Sequence, residues 1–155
     1  MSKKILKRLP QCFFGLFLCG IGLAFTIEAK LGLNPWDVFH DGFSQLINVR
    51  IGFAGVITGF IVLLGWIPLK QKPFLGTILN ILTIGNVLDL TMYFIPTPQE
   101  IWIRHIYLYF GTVLFAMGVG IYIGSGLGPG PRDCLLYTSD AADEGLGVDL
   151  GGRRI

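Results

Sequence analysis

Two groups of residues in this chain could do chemistry. The first is Asn34-Pro35-Trp36-Asp37, followed closely by His40 and Asp41. Asparagine is a strong helix N-cap, proline suits the first helical position, and a carboxylate in the first turn meets the positive end of the helix dipole. A second Pro-x-Asp, Pro131-Arg132-Asp133, lies 96 residues further on. The second group is Thr77, Asn80, Thr83, Asn86 and Asp89, polar residues recurring every third position in an apolar stretch. Three residues advance a helix by about 300°, so each member sits about 60° back from the last and neighbours touch along a winding ridge. A carboxylate at the centre of a lipid-spanning helix costs about 3 kcal/mol and turns towards protein or a wet cavity. The ridge therefore reads as a polar solute path with Asp89 as a proton-coupling carboxylate, or as interhelical hydrogen bonds worth about 0.6 kcal/mol each. Asp37, His40 and Asp41 fall at i, i+3 and i+4, a spacing that could hold a metal ion. With no second histidine nearby, a solvated face is preferred, and neither metal nor cofactor is expected. No nucleophile elbow, phosphate loop or zinc-protease signature is present, so the chain is not expected to be an enzyme.

The elements that position these residues follow from composition. Of 155 residues, 52% are hydrophobic and 14% charged, with mean hydropathy +0.65. Soluble domains carry about 25% charged residues, and a chain this apolar would not stay open in water. Residues 9–27, 51–69, 73–88 and 105–131 carry no formal charge. About 19 helical residues cover roughly 28 Å, close to the hydrocarbon thickness of a bilayer. The expectation is an all-α, polytopic helical membrane protein with spans near Pro10–Lys30, Ile51–Leu69, Phe74–Ile95 and Ile103–Gly124. The first span ends on Phe25-Thr26-Ile27-Glu28, not on a small-x-small cleavage site, and is expected to stay in the protein. Residues 31–47 are too polar and too short to cross. They form a half-helix that either lies flat on the surface or dips into the membrane, the dip being favoured.

Lys3, Lys4, Lys7, Arg8, Lys70, Lys72 and Arg132 fall on one side of these spans, against Lys30, Arg50 and Arg104 on the other, which predicts a cytoplasmic N-terminus. The basic start suits anionic lipid better than nucleic acid. Trp66, Tyr93, Trp102 and Tyr107 suit the interfacial belts, and Glu28, Lys30 and His105 read as interfacial residues. Cys12 and Cys19 read as small packing residues. Gly55 with Gly59, and Ala116 with Gly120 and Gly124, form ridges along which helices could approach, within the chain or in a homo-oligomer.

Sliding the chain against itself aligns Phe14 with Phe110, Gly15 with Gly111, Leu18 with Leu114 and Gly22 with Gly118. Leu31, Gly32, Pro35 and Asp37 then align with Leu127, Gly128, Pro131 and Asp133. If the Pro35 segment does not cross, three spans separate the copies and the second enters from the opposite side, an arrangement found in many secondary transporters. The membrane domain is read as 1–133, with one repeat over about 10–95 and the start of another over about 103–133. Two helix starts meeting from opposite faces would suit a small polar or anionic solute, with Asn34, Trp36, Asp37, Asn80, Asn86, Asp89, Arg132 and Asp133 as candidate site residues. From Cys134 the composition changes. Cys134-Leu135-Leu136-Tyr137-Thr138-Ser139 with Asp140-Ala141-Ala142-Asp143 reads as translated sequencing adapter, so 134–155 is set aside as a non-native tail and the natural chain is expected to continue past Asp133.

The segment Leu31 to His40, together with Gly126-Leu127-Gly128-Pro129-Gly130-Pro131-Arg132-Asp133, resembles the YczE/YitT group of bacterial membrane proteins. Gly76-Thr77, Asn80, Gly85 and Asp89 are similar to that family too. The resemblance implies a multi-pass protein of the bacterial plasma membrane, and it implies no substrate. The functional expectation is a small-solute transporter or permease with inverted repeats, in contact with the lipid bilayer. The alternative is a membrane anchor or an assembly partner of another membrane system.

Overall fold

A computed structural model describes residues 3–65, 75–128 and 130. Five helices follow in order: α1 (Lys3–Glu28), α2 (Pro35–Ile47), α3 (Ile51–Gly65), α4 (Leu75–Phe94) and α5 (Ile101–Gly124). No strand occurs among the described residues. Arg8–Glu28, Leu75–Phe94 and Ile101–Gly124 are long and apolar enough to cross a membrane, and the bent pair α2–α3 brings the number to as many as four. This is a multi-pass helical membrane protein. The start of α1 lies ahead of the expected span, and Pro10 sits inside the helix.

Helix α1 is central, with α5 along one face and α4 along another; α3 packs on α4, and α2 on α3. Glycine makes the α1–α5 contact. A Cβ added to Gly15 would lie 2.5 Å from the Tyr122 N, one on Gly22 2.6 Å from the Phe115 N, and one on Gly118 2.7 Å from the Cys19 N. Only backbones without side chains can come this close. Early residues of α1 meet late residues of α5, so the helices are antiparallel. The expected ridge of Ala116, Gly120 and Gly124 does not make this contact: nothing lies within 4 Å of a Cβ at Gly120. The glycines seven apart, Gly15 and Gly22 against Gly111 and Gly118, point at the partner instead.

Helices α3 and α4 are also antiparallel. Gly52 abuts the Gly85 carbonyl, and further along Gly59 abuts Ile81. At one end of the bundle the Gly76 N donates to the Leu127 carbonyl at 3.0 Å and Gln11 donates to the Ile121 carbonyl at 3.2 Å. That end therefore holds the starts of α1 and α4 and the end of α5. The other end holds the end of α1, the start of α3 and, through Thr97 bound to Glu28, the α4–α5 corner. Helix α2 leaves and rejoins the bundle at this second end. It meets α3 at 105° across a break at Asn48-Val49-Arg50. Asn48 ends α2 in the left-handed conformation (φ 54°), and its N–H donates to the Ser44 carbonyl. The helix thus lies crosswise to α3 instead of folding straight back along it.

Helices α1 and α5 hand over to their loops along the same backbone path. The Lys30 N–H donates to the Ile27 carbonyl at 3.2 Å, and the Gly126 N–H to the Ile123 carbonyl at 2.9 Å. Lys30 and Gly126 take positive φ (49° and 65°), and so do Gly32 and Gly128 (136° and 114°). Each pair is 96 residues apart, as are Cys19 and Phe115, where the thiol contacts the carbonyl at 3.8 Å. The contacts of Gly15 with Gly118 and of Gly22 with Gly111 exchange under the same offset.

Candidate functional site

The crosswise setting of α2 aims its first turn into the bundle, where residues of all five helices line a partly open cavity of about 120 Å³. Along α1 it runs from Ile27 to Cys19, about 12 Å at 1.5 Å per residue. Trp36, Asp37 and His40 enter from one end of the bundle. Gly130 reaches it from the other, its N–H directed at the Tyr122 hydroxyl at 3.4 Å. Most of the remaining wall is aliphatic or glycine, with Asn80 its polar member on α4.

The start of α2 is built as its residue types require. Asn34 Oδ1 accepts from the Trp36 N at 3.0 Å and the Asp37 N at 3.1 Å, and the Asn34 amide donates to Asp37 Oδ2. Cap and third-position carboxylate satisfy each other, a local device that also fixes the direction of the Asp37 side chain. Asp37 is 5% exposed. This corrects the expectation of a solvated face: Asp37 looks inward, and His40 packs 3.6 Å from where a Gly55 Cβ would stand. The Trp36 ring meets His40 edge-on at 5.4 Å. Asp41, by contrast, bonds within its own helix, accepting from the Gln45 amide at 2.9 Å. Among the described residues no group of histidine, cysteine and carboxylates could hold a metal ion.

The polar ridge of α4 splits. Asn80 lines the cavity, whereas Asn86 and Asp89 line a separate open cleft with Asn48, Arg50 and Phe53. The Asn86 amide donates to its own helix at the Leu82 carbonyl. The Asp89 carboxylate accepts from the Gly52 N at 2.8 Å and the Phe53 N at 3.1 Å. These are first-turn donors of α3, which a helix cannot satisfy internally. Asp89 is an N-terminal cap supplied from a neighbouring helix. Thr77 is fully buried. Glu28 also departs from expectation: it is 8% exposed and accepts from the Thr97 hydroxyl instead of reaching the headgroups. Tyr93 and Trp102 are widely exposed at the second end, as belt residues should be. Cys12 and Cys19 are buried and unoxidised.

Of the candidate residues, the structure brings Trp36, Asp37 and Asn80 together, places Asn34 behind Asp37, and sets Asn86 and Asp89 apart. Arg132, Asp133 and the tail 134–155 lie outside the described residues, as do Trp66, Lys70 and Lys72. Sequence reading missed Tyr122 and gave His40 no role in a cavity. The only available signal for Tyr122 was a hydroxyl within an apolar run.

Fold and cavity define a multi-pass helical membrane protein with an internal, partly polar chamber. The chain belongs to a family of unknown function, DUF6198, whose model matches residues 6–142. It is 34% identical over 139 residues to the uncharacterized membrane protein YczE of Bacillus subtilis, covering 88% of this chain and 64% of that one. An uncharacterized protein of Haemophilus influenzae is 34% identical over 130 residues, covering 84% and 60%. The B. subtilis protein YyaS is 26% identical over 125 residues, covering 78% and 62%. The chain therefore spans less than two thirds of the length of these relatives. No solved structure matches it.

Proposed function

We propose that this chain is a solute-binding membrane-transport module built on an inverted repeat, with the central cavity as its binding site. One observation carries the reading: the first turn of α2, which follows the loop after α1, and the loop after α5 reach one cavity from opposite ends of the bundle, bringing Trp36 and Asp37 from one and Gly130 from the other. The duplication draws support from the matched φ angles at Lys30 and Gly126 and at Gly32 and Gly128. The reciprocal glycine contacts of α1 and α5 add to it, since a two-fold axis between these helices would exchange them. Such an axis, in the membrane plane, is the symmetry of transporters whose sites lie at the repeat interface. The excess of basic residues on the side of the α1 start supports a cytoplasmic position for that end, in the plasma membrane of a bacterium.

The test is a thermal-shift screen of the purified full chain against small polar solutes, followed by uptake into proteoliposomes for those that bind. Gly55→Leu is the control, because its side chain would grow into the cavity. The reading predicts that at least one solute raises the melting temperature of the wild type and not of the variant, and that it is taken up. Solute shifts equal in both proteins, or no shift at all, would contradict it.

A further inference from the structure

We propose that the outer face of α2 is seated in lipid hydrocarbon, so that this crosswise helix is the wall between the cavity and the acyl chains of one leaflet. The inference rests on the membrane setting of the helices and holds whether or not the cavity takes a solute. At about 100° per residue, α2 sorts into two opposed arcs. Asp37, His40, Asp41 and Ser44 share one arc, and Asp37 and Ser44, 5% and 6% exposed, show that it is turned to the bundle. The other arc runs through Val38, Phe39, Gly42 and Leu46 and carries no polar side chain. Val38, Phe39 and Leu46 are 54%, 53% and 81% exposed, and nothing lies within 4 Å of a Cβ at Gly42. Gln45, at the edge of this arc, turns its amide back to Asp41 of the same helix.

This polarity is the inverse of a helix that faces water, which turns its charged and polar side outward. A helix floating at the headgroups carries a strongly charged face rich in lysine and arginine, and α2 has neither residue. Left in water, the outer arc would keep three large apolar side chains hydrated against the hydrophobic effect. Hydrocarbon also demands that backbone groups be satisfied within the protein. Asn34 closes the start of α2, and the Asn48 N–H closes its end on the Ser44 carbonyl. The outer arc is continuous with surface that lipid already meets. Helix α3 begins four residues after α2 ends and exposes Phe53, Phe60 and Ile61 by 51%, 44% and 57%. With α3 along the membrane normal, the 105° bend lays α2 close to the membrane plane. Its 13 residues then cover about 20 Å of the cavity's flank.

The experiment is electron paramagnetic resonance on the full chain in vesicles of phosphatidylcholine and phosphatidylglycerol, with Cys12, Cys19 and Cys134 replaced. Single nitroxide labels are attached at Phe39→Cys and Leu46→Cys. Val113→Cys, on the exposed flank of the spanning helix α5, is the lipid reference, and Glu100→Cys, exposed at the α4–α5 corner, is the water reference. Collisions with oxygen, which concentrates in hydrocarbon, are compared with collisions with a nickel chelate confined to water. At both α2 positions oxygen should exceed the chelate several-fold, as at Val113→Cys and opposite to Glu100→Cys. Val38→Cys serves in place of either α2 variant that does not fold. Chelate exceeding oxygen on α2 would put this face in water and overturn the proposal. Low collision with both reagents would mean that protein covers the face, a second copy or another chain, and would overturn it equally.

Discussion

Helices α1 and α5 leave the bundle along the same backbone path, yet their flanks are treated differently. On α1 the ridge Leu16, Gly20, Ala24 and Glu28 is covered: Leu16 and Ala24 have no exposed surface, and a Cβ on Gly20 would lie 2.7 Å from Val87 of α4. The ridge one repeat later, Thr112, Ala116, Gly120 and Gly124, is exposed throughout the described structure. Within their apolar windows 39% of α1 is buried against 17% of α5, and the difference is α4, which packs on α1 and not on α5. A ridge of small residues is thus a capacity for close approach, and a partner must be present to use it. In lipid, where apolar side chains gain little by leaving the hydrocarbon, shape and backbone contact decide which ridge is used.

That contrast can be broken most severely where α1 and α5 touch each other. Gly15→Val or Gly118→Val would drive a side chain into the partner backbone. Each should cost about 2–3 kcal/mol, the upper range for overpacking, read as a lower midpoint in denaturing-detergent titration of the purified chain. A smaller loss is expected at Asp89. Its replacement by alanine leaves the Gly52 and Phe53 N–H groups without their acceptor and should cost about 1–2 kcal/mol. Solute binding at the cavity should persist in that variant, because Asp89 faces the other cleft; lost binding with unchanged stability would return Asp89 to the solute path. Asn34→Ala removes the cap of α2 and should cost about 1 kcal/mol, with faster hydrogen exchange confined to the first turn of α2. The smallest effect belongs to the open ridge. Gly120→Ala meets nothing within 4 Å and removes a flexible residue from a helix, so stability should change by less than about 1 kcal/mol, in the stabilising direction. A large loss there would mean that the ridge is covered in the membrane.

Charge and hydropathy placed the spans of α1, α4 and α5 because lipid admits few other solutions. The start of α2 was equally readable, since Asn34, Pro35 and Asp37 act on their own turn and need no distant partner. The repeat was visible in Leu31-Gly32 and Leu127-Gly128 because positive φ at the second residue of each pair favours glycine. Partner choice was not visible. Asp89 looks in sequence like a coupling carboxylate, and only the antiparallel docking of α3 against α4 turns it into a cap. Glu28 looked like a headgroup residue until the α4–α5 corner brought Thr97 to it. Asp37 was read both as a candidate site residue and, for want of a second histidine, as part of a solvated face; the 105° setting of α2 turns it into the cavity.

The account depends on the start of α2 and the loop after α5 reaching the cavity from opposite faces of the membrane. Single cysteines at Leu33 and Gly124, with Cys12, Cys19 and Cys134 replaced, can be labelled with an impermeant maleimide in right-side-out and in inverted vesicles. The prediction is that Leu33→Cys reacts in one orientation and Gly124→Cys in the other. Labelling of both in the same orientation would contradict it.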